Sequence, residues 1–246
     1  MSRVCLITGG TQGIGQETAE LLASSGWKVV ISGRNSGKGR QVVEGIKANG
    51  GEATFIQADV SSQEAVKKLH QEAVSIYGRL DGAVNNAGIS TDSSRMGDCS
   101  TEKFQDMINV NVFGLFWCMQ EQIRVMLPQR NGHIVNLASI AGLHGIRYSS
   151  TYCATKHAVV ALTRAAALDY ALDGLKISAV APGAIKTSIL NQALESGAIT
   201  EEAIAAIHPI NKIGVPMDIA RAISFLLDSP FVTGSILEVD GGVGAA

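Results

Sequence analysis

A glycine cluster near the start of the chain constrains the fold more than any other stretch. It stands directly after the short apolar run 4–8 and before a segment whose apolar residues recur at helical spacing. Glycines between a first strand and a first helix let backbone N–H groups and the helix N-terminus approach a phosphate. Glycines also serve ordinary tight turns, but this position favours a phosphate-binding loop. The loop residues are Thr8, Gly9, Thr11, Gln12, Gly13, Ile14 and Gly15.

Short apolar runs alternate with helical patterns along the whole chain. Runs such as 29–31 and 177–180 are apolar on both faces, which is typical of a parallel sheet covered by helices on both sides. We see no linker, low-complexity segment or solenoid repeat. The sequence therefore predicts one α/β domain over residues 1–246, a doubly wound (Rossmann) parallel sheet with helices on both faces. The seven predicted strands are 4–8, 28–32, 53–58, 80–85, 133–138, 176–181 and 235–239.

Composition argues against several kinds of partner and site. The formal net charge is −2 without a long run of Lys and Arg, so we expect neither nucleic acid nor an anionic membrane surface as a partner. No apolar run approaches the roughly 18 residues of a membrane span, and the first residues leave no room for a signal peptide. Cysteines and histidines lack metal-binding spacing, so we expect no metal site and a cytoplasmic protein with reduced thiols.

The ends of the second and third strands bear on the cofactor. An NAD site usually places Asp or Glu at the end of the second strand to bind the ribose 2′-hydroxyl. This chain has Gly33-Arg34 there, and a guanidinium can pair with a 2′-phosphate. We therefore predict NADP(H) as the preferred cofactor and NAD(H) as the alternative, although Arg34 could be a solvated surface residue and Gln12 adds no second cation. Asp59-Val60 either meets the adenine or caps the next helix.

A spacing of four residues links Tyr152 and Lys156 within a segment, roughly 149–173, that is predicted to be one helix. This spacing puts the hydroxyl and the ammonium on the same helical face. A free phenol has a pKa of about 10, and a nearby ammonium favours the phenolate and lowers that pKa. The pair could pass a proton to or from a substrate oxygen. The same spacing also occurs by chance in many helices.

The motifs in their order identify a family resemblance. The chain resembles the short-chain dehydrogenases/reductases along essentially its whole length. The resemblance implies an NAD(P)(H)-dependent oxidoreductase that transfers a hydride between nicotinamide C4 and a carbonyl or secondary alcohol carbon of a small molecule. The motifs that carry it are Thr8-Gly9…Gly13…Gly15, Asp59-Val60, Asn85-Asn86-Ala87-Gly88, Asn111, Ser139, Tyr152…Lys156 and Pro182-Gly183…Thr187.

The resemblance also implies roles for individual residues. Tyr152 would be the acid/base, Ser139 would hydrogen-bond the substrate oxygen, and Lys156 would hold the nicotinamide ribose. Asn111 would hold a water that connects Lys156 to solvent, with Asn109 as its rival. Two further stretches would contact the cofactor: Asn86, Ala87 and Gly88 beside the adenosine ribose, and Ile185 and Thr187, after Pro182 and Gly183, beside the carboxamide.

Substrate and assembly are less constrained. The stretch 184–215 departs from the alternating pattern and is expected to cover the substrate, or simply to pack onto the body. Residues 158–172 are almost entirely small and apolar, so this helix should be buried, in part against a second subunit. The resemblance implies a homodimer or homotetramer built on it. The apolar side chains of the covering stretch include Ile189, Leu190, Leu194 and Ile204.

Three other functions remain open at this point. A 3-oxoacyl-thioester reductase would use the same catalytic residues. A non-catalytic cofactor-sensing protein would be expected to lack one of Ser139, Tyr152 and Lys156, yet all three are present. An epimerase or dehydratase on this fold usually has an added C-terminal substrate domain and a differently spaced glycine loop.

Overall fold

The computed structural model of the protein describes residues 2–187, 190, 191, 194 and 200–245. Its strands are β1 (Val4–Thr8), β2 (Lys28–Gly33), β3 (Glu52–Gln57), β4 (Gly82–Asn85), β5 (Gly132–Leu137), β6 (Leu175–Pro182) and β7 (Ile236–Val239). They form one seven-stranded parallel sheet in the order β3-β2-β1-β4-β5-β6-β7. The predicted fold class is confirmed. The strand order reverses between β1 and β4, and a crevice is expected at the carboxyl ends of these two strands.

Helices cover both faces of the sheet. They are α1 (Gly13–Ser24), α2 (Ser36–Ala48), α3 (Gln63–Tyr77), α4 (Thr101–Met107), α5 (Leu115–Met126), α6 (Ser150–Tyr170), α7 (Glu201–Ala205) and α8 (Pro216–Asp228). Successive strand residues point to opposite faces. Leu6 therefore packs into the core beneath α3, α5 and α6, whereas Ile7 packs into the core beneath α1, α2 and α8. This explains why the strands are apolar on both faces.

Side-chain caps define several helix starts. Asn35, Ser62 and Ser100 each accept a hydrogen bond from the N–H of the third helical residue of α2, α3 and α4, respectively. At α8, the carboxylate of Asp218 accepts the N–H of Val215, and proline stands at the first helical position. Because Ser62 caps α3, the suggested capping role of Asp59 is wrong.

The helix predicted from residue 100 to about 127 is interrupted. Between α4 and α5, residues Ile108–Gly114 form a π-helix, a rare local widening that is frequent at functional sites. Gly114 lies so close to the turn after β3 that a Cβ on it would stand 2.8 Å from the Val60 carbonyl oxygen. Asn111 lies within the π-helix and is buried. Residue periodicity alone did not reveal this interruption.

Helix α6 is not buried on all sides within one chain. Leu168 is 83 % exposed, and Leu172, just beyond the helix, is 94 % exposed. The apolar sequence of this region is therefore only partly explained by packing within the chain. In the described part of the chain, no helix has the length and apolar character required to cross a bilayer. The same residues hold no group of three His, Cys, Asp or Glu side chains arranged for a metal ion.

Candidate active site

Contacts around the glycine loop leave no room for side chains. Gly9 has a φ of +65°, a left-handed conformation that favours glycine. A Cβ on Gly15 would lie 2.4 Å from the Gly9 carbonyl oxygen and 2.5 Å from Asn86 Nδ2. Asn86 Nδ2 donates to the carbonyl oxygens of Thr8 and Gly9, at 3.0 Å each. The Asn86 side chain thus fixes the shape of the loop, whereas its predicted place beside the ribose stays a prediction.

Two other stretches predicted to bind cofactor meet this loop. The Thr8 hydroxyl accepts the Ala87 N–H at 3.2 Å, which joins the loop to the stretch after β4. On the opposite side, a Cβ on Gly13 would lie 3.5 Å from Thr187 Cγ2. Ile14 packs partly buried against the core beneath α1. The loop therefore borders both the 86–88 stretch and the segment after β6.

Two cations lie near the end of β2. Arg34 is exposed and belongs to none of the ion pairs found among the described residues. Lys38, in the first turn of α2, donates from Nζ to Gln12 Oε1 at 2.9 Å. Thr11 packs against Gly33, where a Cβ would lie 2.8 Å from Thr11 Cγ2. The sequence prediction missed Lys38, although its place one helical turn after Arg34 was a usable signal.

Asp59 lies in the turn after β3. Its Oδ1 accepts the backbone N–H of Ser61 at 2.9 Å and the Ser61 hydroxyl at 2.8 Å. Its neighbour Val60 is buried against α3 and α5. These contacts hold the turn beside the π-helix. Contact between Asp59 and an adenine ring stays a prediction.

Ser139 and Tyr152 meet just beyond β5. Ser139 Oγ accepts the Ala141 N–H at 3.1 Å, which leaves the hydroxyl proton for a further partner. The turn after Ser139 approaches α6 closely because Gly142 has no side chain: a Cβ there would lie 2.6 Å from the Lys156 carbonyl oxygen. Tyr152 stands in the first turn of α6, half-buried. This packing directs Ser139 and Tyr152 toward the same space.

Burial determines the protonation of Tyr152. Desolvation raises the pKa of the phenol to about 12, against the opposing effect of its hydrogen bond with Ser139. The phenol is therefore protonated at neutral pH. The expectation of a lowered pKa is wrong here. Lys156 Nζ lies 5.7 Å from the Tyr152 ring centroid, and desolvation of the phenol is the largest cause of the shift.

Lys156 is buried and held by the end of β5. Its Nζ donates to the Leu137 carbonyl oxygen at 2.7 Å. Desolvation lowers the pKa of Lys156 to about 8. Burial thus favours the uncharged form of both Tyr152 and Lys156, and their pKa values move apart.

Asn111 joins the π-helix to the catalytic helix. Its Oδ1 accepts the Ile89 N–H at 2.8 Å, while Nδ2 donates to the Ile89 carbonyl oxygen at 2.8 Å and to Thr155 Oγ1 at 3.1 Å. A Cβ on Gly88 would lie 3.4 Å from Asn111 Oδ1 and 3.6 Å from Lys156 Nζ. Asn111 is therefore a close neighbour of Lys156. Thr155 was missed by the sequence prediction, although it stands beside Lys156 in the same motif.

The rival residue Asn109 has a different environment. Its Oδ1 accepts from Gln105 Nε2 at 3.0 Å on the outer side of the helix. Among the described residues, the side-chain hydrogen bond that joins the π-helix to α6 belongs to Asn111. The geometry therefore favours Asn111 over Asn109.

The residues from Gly183 to Thr187, here called the post-β6 segment, follow Pro182, the last residue of β6. The Gly183 N–H donates to the Val239 carbonyl oxygen at 3.1 Å. Ile185 is buried and forms an isolated parallel bridge with Gly214. The segment is thus attached to the body of the protein before it reaches the glycine loop at Thr187.

The predicted covering stretch is only partly described. Ile204 is buried, and Leu190 and Leu194 are half-buried. Ile189 lies outside the described residues. Farther along the same stretch, Ile207 and Ile210 are 56 and 62 % exposed, so its described apolar side chains are only partly covered by protein.

The cradle fits a dinucleotide. The glycine loop excludes side chains beside the start of α1, and the first N–H groups of a helix have no partners within the helix. These groups can bind a pyrophosphate. Gly88 leaves similar room beside Lys156. A bound dinucleotide would therefore extend from the end of β2 to the catalytic residues.

Comparisons with known proteins agree with this geometry. Residues 9–244 match the family model described as enoyl-(acyl carrier protein) reductase. The 2,5-dichloro-2,5-cyclohexadiene-1,4-diol dehydrogenase of Sphingobium indicum is 40 % identical over 243 residues, with 98 % of this chain and 96 % of that protein covered. The chain belongs to the short-chain dehydrogenase/reductase family. It is an oxidoreductase, and the resemblance seen in its motifs is confirmed.

Other members show how broad this family is. Cyclohexanol dehydrogenase of Acinetobacter sp. is 41 % identical over 242 residues, covering 98 % of this chain and 94 % of that protein. The 3-oxoacyl-[acyl-carrier-protein] reductase FabG of Staphylococcus epidermidis is 37 % identical over 246 residues, covering 99 % of each. The solved structure of ElxO with NADP bound has a TM-score of 0.93 at 39 % identity, covering 100 % of both chains. The family fixes the reaction type but not the substrate.

Proposed function

We propose that the protein is an NADP(H)-dependent dehydrogenase/reductase acting on a small cyclic alcohol or ketone. The observation that carries the reaction is the meeting of Ser139, Tyr152 and Lys156 at the carboxyl end of the sheet. The substrate class is supported by the two relatives at 40 and 41 % identity, which are named for a cyclohexadiene diol and for cyclohexanol. As proposed, residues 1–246 act as one domain with 184–215 covering the substrate.

In this proposal the chain's own residues bind and protonate the substrate oxygen. The nicotinamide, when bound, supplies or accepts the hydride. During reduction, the protonated phenol of Tyr152 donates its proton to the oxygen as negative charge develops there. The Ser139 hydroxyl donates a second hydrogen bond to the same oxygen. During oxidation, the same groups act in reverse.

Lys156 and Asn111 would support this proton transfer. Lys156 holds the nicotinamide ribose, and its lowered pKa of about 8 suits an ammonium that exchanges protons near neutral pH. Both amide protons of Asn111 are engaged, by Ile89 and Thr155. A relay water near Lys156 would therefore use the second acceptor site of Asn111 Oδ1 or its backbone carbonyl.

NADP(H) is proposed over NAD(H) because of charge at the end of β2. Arg34 and Lys38 flank the site expected for the 2′-phosphate, and the contact of Lys38 with Gln12 brings its ammonium to the glycine loop. The ElxO structure, which contains NADP, supports the same choice. In the proposed complex, Asp59 and Val60 meet the adenine, residues 86–88 pass the adenosine ribose, and Ile185 and Thr187 hold the carboxamide.

We further propose a homo-oligomer. The exposed side chains of Leu168 and Leu172 form an apolar surface at one end of α6. Phe113, in the π-helix, and Phe116, in the first turn of α5, are 44 and 39 % exposed. Burying such surface against a second copy would remove apolar area from water. Sedimentation equilibrium would test the homo-oligomer. A monomer at micromolar concentration would contradict it.

A cytoplasmic location is supported by the four unpaired cysteines.

The function is tested with the purified protein and a substrate panel. We expect NADP⁺-dependent oxidation of cyclohexanol and cyclic diols, and NADPH-dependent reduction of the matching ketones, with kcat/KM at least tenfold above that for acetoacetyl-CoA. The second candidate, a 3-oxoacyl-thioester reductase, is favoured by the FabG relative. Preference for acetoacetyl-CoA would establish it instead.

Three other outcomes would overturn the proposal. Turnover with NADH alone would contradict the cofactor assignment. Tight NADPH binding without any turnover would indicate a cofactor-sensing protein. Conversion of a diol or sugar nucleotide without net oxidation would indicate an epimerase or dehydratase.

A further inference from the structure

His208 joins the covering stretch to the post-β6 segment. It follows α7 and is only 4 % exposed. Its ring lies against the start of the post-β6 segment: a Cβ on Gly183 would stand 2.8 Å from His208 Nε2. The approach of the two stretches therefore depends on glycine at position 183.

The hydrogen bonds of His208 define one tautomer. The Ala184 N–H donates to His208 Nε2 at 3.0 Å. Because an N–H cannot accept, Nε2 must carry a lone pair, and the proton of the neutral ring must lie on Nδ1. His208 Nδ1 then donates to the Ile204 carbonyl oxygen in α7, at 2.9 Å. Both ring nitrogens are satisfied only in this neutral form.

The other contacts of the post-β6 segment come from a different direction. The Gly214 N–H donates to the Ala184 carbonyl oxygen at 3.0 Å, and the Lys186 N–H donates to the Gly214 carbonyl oxygen at 2.9 Å. These bonds attach the segment to the residues before α8. His208 adds a buried link to α7, whereas the Lys186–Glu201 ion pair between the same stretches is exposed.

We propose that His208 is a positioning residue whose neutral ring holds α7 against the post-β6 segment and so fixes Ile185 and Thr187 for the reaction. The effect on turnover rests on the proposed function, because those two residues are assigned there to the nicotinamide carboxamide. A second ring proton on Nε2 would put an N–H against the Ala184 N–H, so this contact requires the neutral ring.

Among the described residues, several charged groups near this contact are engaged in hydrogen bonds or ion pairs. The Asp240 carboxylate accepts the N–H groups of Gly242 and Gly244 at 2.9 and 2.7 Å. The Asp218 carboxylate accepts the Val215 N–H. On the described parts of the elements that surround the ring, the titratable side chains are Asp240, Glu238, Lys186, Glu201, Glu202, Lys212 and Asp218.

Two substitutions separate the two ring nitrogens. His208→Gln can place an amide oxygen at the reach of Nε2, whereas the shorter His208→Asn can place an amide N–H near Nδ1 but cannot bring its oxygen to the Ala184 N–H. We expect kcat/KM within about threefold of the wild type for Gln and at least tenfold lower for Asn. The matched control is His157→Asn, because His157 Nδ1 makes the same bond to the carbonyl oxygen four residues earlier. We expect this control to leave kcat/KM unchanged.

Hydrogen exchange tests the contact without any turnover. We expect the protection factor of the Ala184 amide to fall at least tenfold in His208→Asn, and to persist in His208→Gln. If the Asn variant does not fold, the wild type and His208→Gln still test the contact: loss of Ala184 protection in the Gln variant would contradict a requirement for an acceptor at the Nε2 position.

Specific results would overturn the proposal. Equal protection of the Ala184 amide in the Gln and Asn variants would show that the acceptor at His208 does not protect this amide. Normal exchange behaviour in a protein without dehydrogenase activity would keep the positioning contact and reject the proposed function instead.

Discussion

The two ends of the proposed site are built by different physical means. At the glycine loop, shape is set by the backbone: a left-handed Gly9, and contacts at Gly15 closer than any Cβ allows. At the catalytic end, shape is set by buried polar side chains, with Asn111 and Lys156 bonded to neighbouring backbone. The first end is constrained by volume and the second by desolvation.

This difference has consequences for mutation and pH. Added volume at the glycine loop should act equally at every pH, because the contacts are steric. At the catalytic end, burial raises the pKa of Tyr152 and lowers that of Lys156, so that effects there should depend on pH. The molecule thus separates a pH-independent binding end from a pH-dependent reacting end.

Tyr152→Phe should have the largest effect. We expect kcat to fall about 10³-fold, since a positioned acid/base contributes about 10²- to 10⁴-fold. The phenyl ring retains the packing of the tyrosine, so the Kd of NADPH, measured by fluorescence titration, should stay within about twofold. A kcat close to that of the wild type would mean that another group donates the proton.

Gly15→Ala should disrupt the glycine loop, the other end of the proposed site. Its Cβ would meet the Gly9 carbonyl oxygen at 2.4 Å, so we expect the free energy of unfolding to fall by about 1–3 kcal/mol and the Kd of NADPH to rise at least tenfold at both pH 6.5 and pH 9. Gly45→Ala is the control, because nothing lies within 4 Å of its Cβ position in α2. The free energy of unfolding of that variant should rise by about 0.5–1 kcal/mol. Unchanged NADPH binding in Gly15→Ala would contradict the steric account.

The same division governs what the sequence could predict. Strand positions, the glycine loop and the spacing of Tyr152 and Lys156 follow from local patterns, and the sheet confirms the predicted strands to within a few residues. Local patterns carry no information on desolvation, so the predicted direction of the Tyr152 pKa shift was wrong. Lys38 was also missed: its position four residues after Arg34 was a local signal, but its contact with Gln12 joins residues 26 positions apart. The π-helix was also missed, because the local pattern between residue 100 and Pro128 predicted a single helix.

Lys156→Met should stabilise the protein while abolishing turnover. The pKa of Lys156 is lowered from 10.5 to about 8 in the folded state, so between these values the unfolded chain binds more protons and stability rises with pH. Below pH 8 the buried ammonium carries its full desolvation cost. We expect Met to raise the free energy of unfolding at pH 7 by about 1–3 kcal/mol. Part of this gain is offset because the Leu137 carbonyl oxygen loses its hydrogen-bond donor.

Urea unfolding at pH 7 and pH 10 measures this effect. The gain from Lys156→Met should shrink at pH 10, where the wild-type lysine is uncharged in the folded state. Lys67→Met, at an exposed position of α3, is the control and should stay within about 0.5 kcal/mol at both pH values. A gain of the same size at both pH values would show that packing, not desolvation of the charge, is responsible.

Lys38→Gln should give the smallest effect and sharpens the comparison within the binding end itself. Glutamine can keep a hydrogen bond to Gln12 but removes the charge, so we expect the Kd of NADPH to rise about three- to tenfold and the Kd of NADH to stay unchanged. Lys47→Gln, in the last turn of the same helix, removes an equal charge farther from the loop and should change neither Kd. Equal weakening of both cofactors would mean that Lys38 supports the glycine loop through Gln12. No change in the Kd of either cofactor would leave Arg34 as the cation that binds the 2′-phosphate.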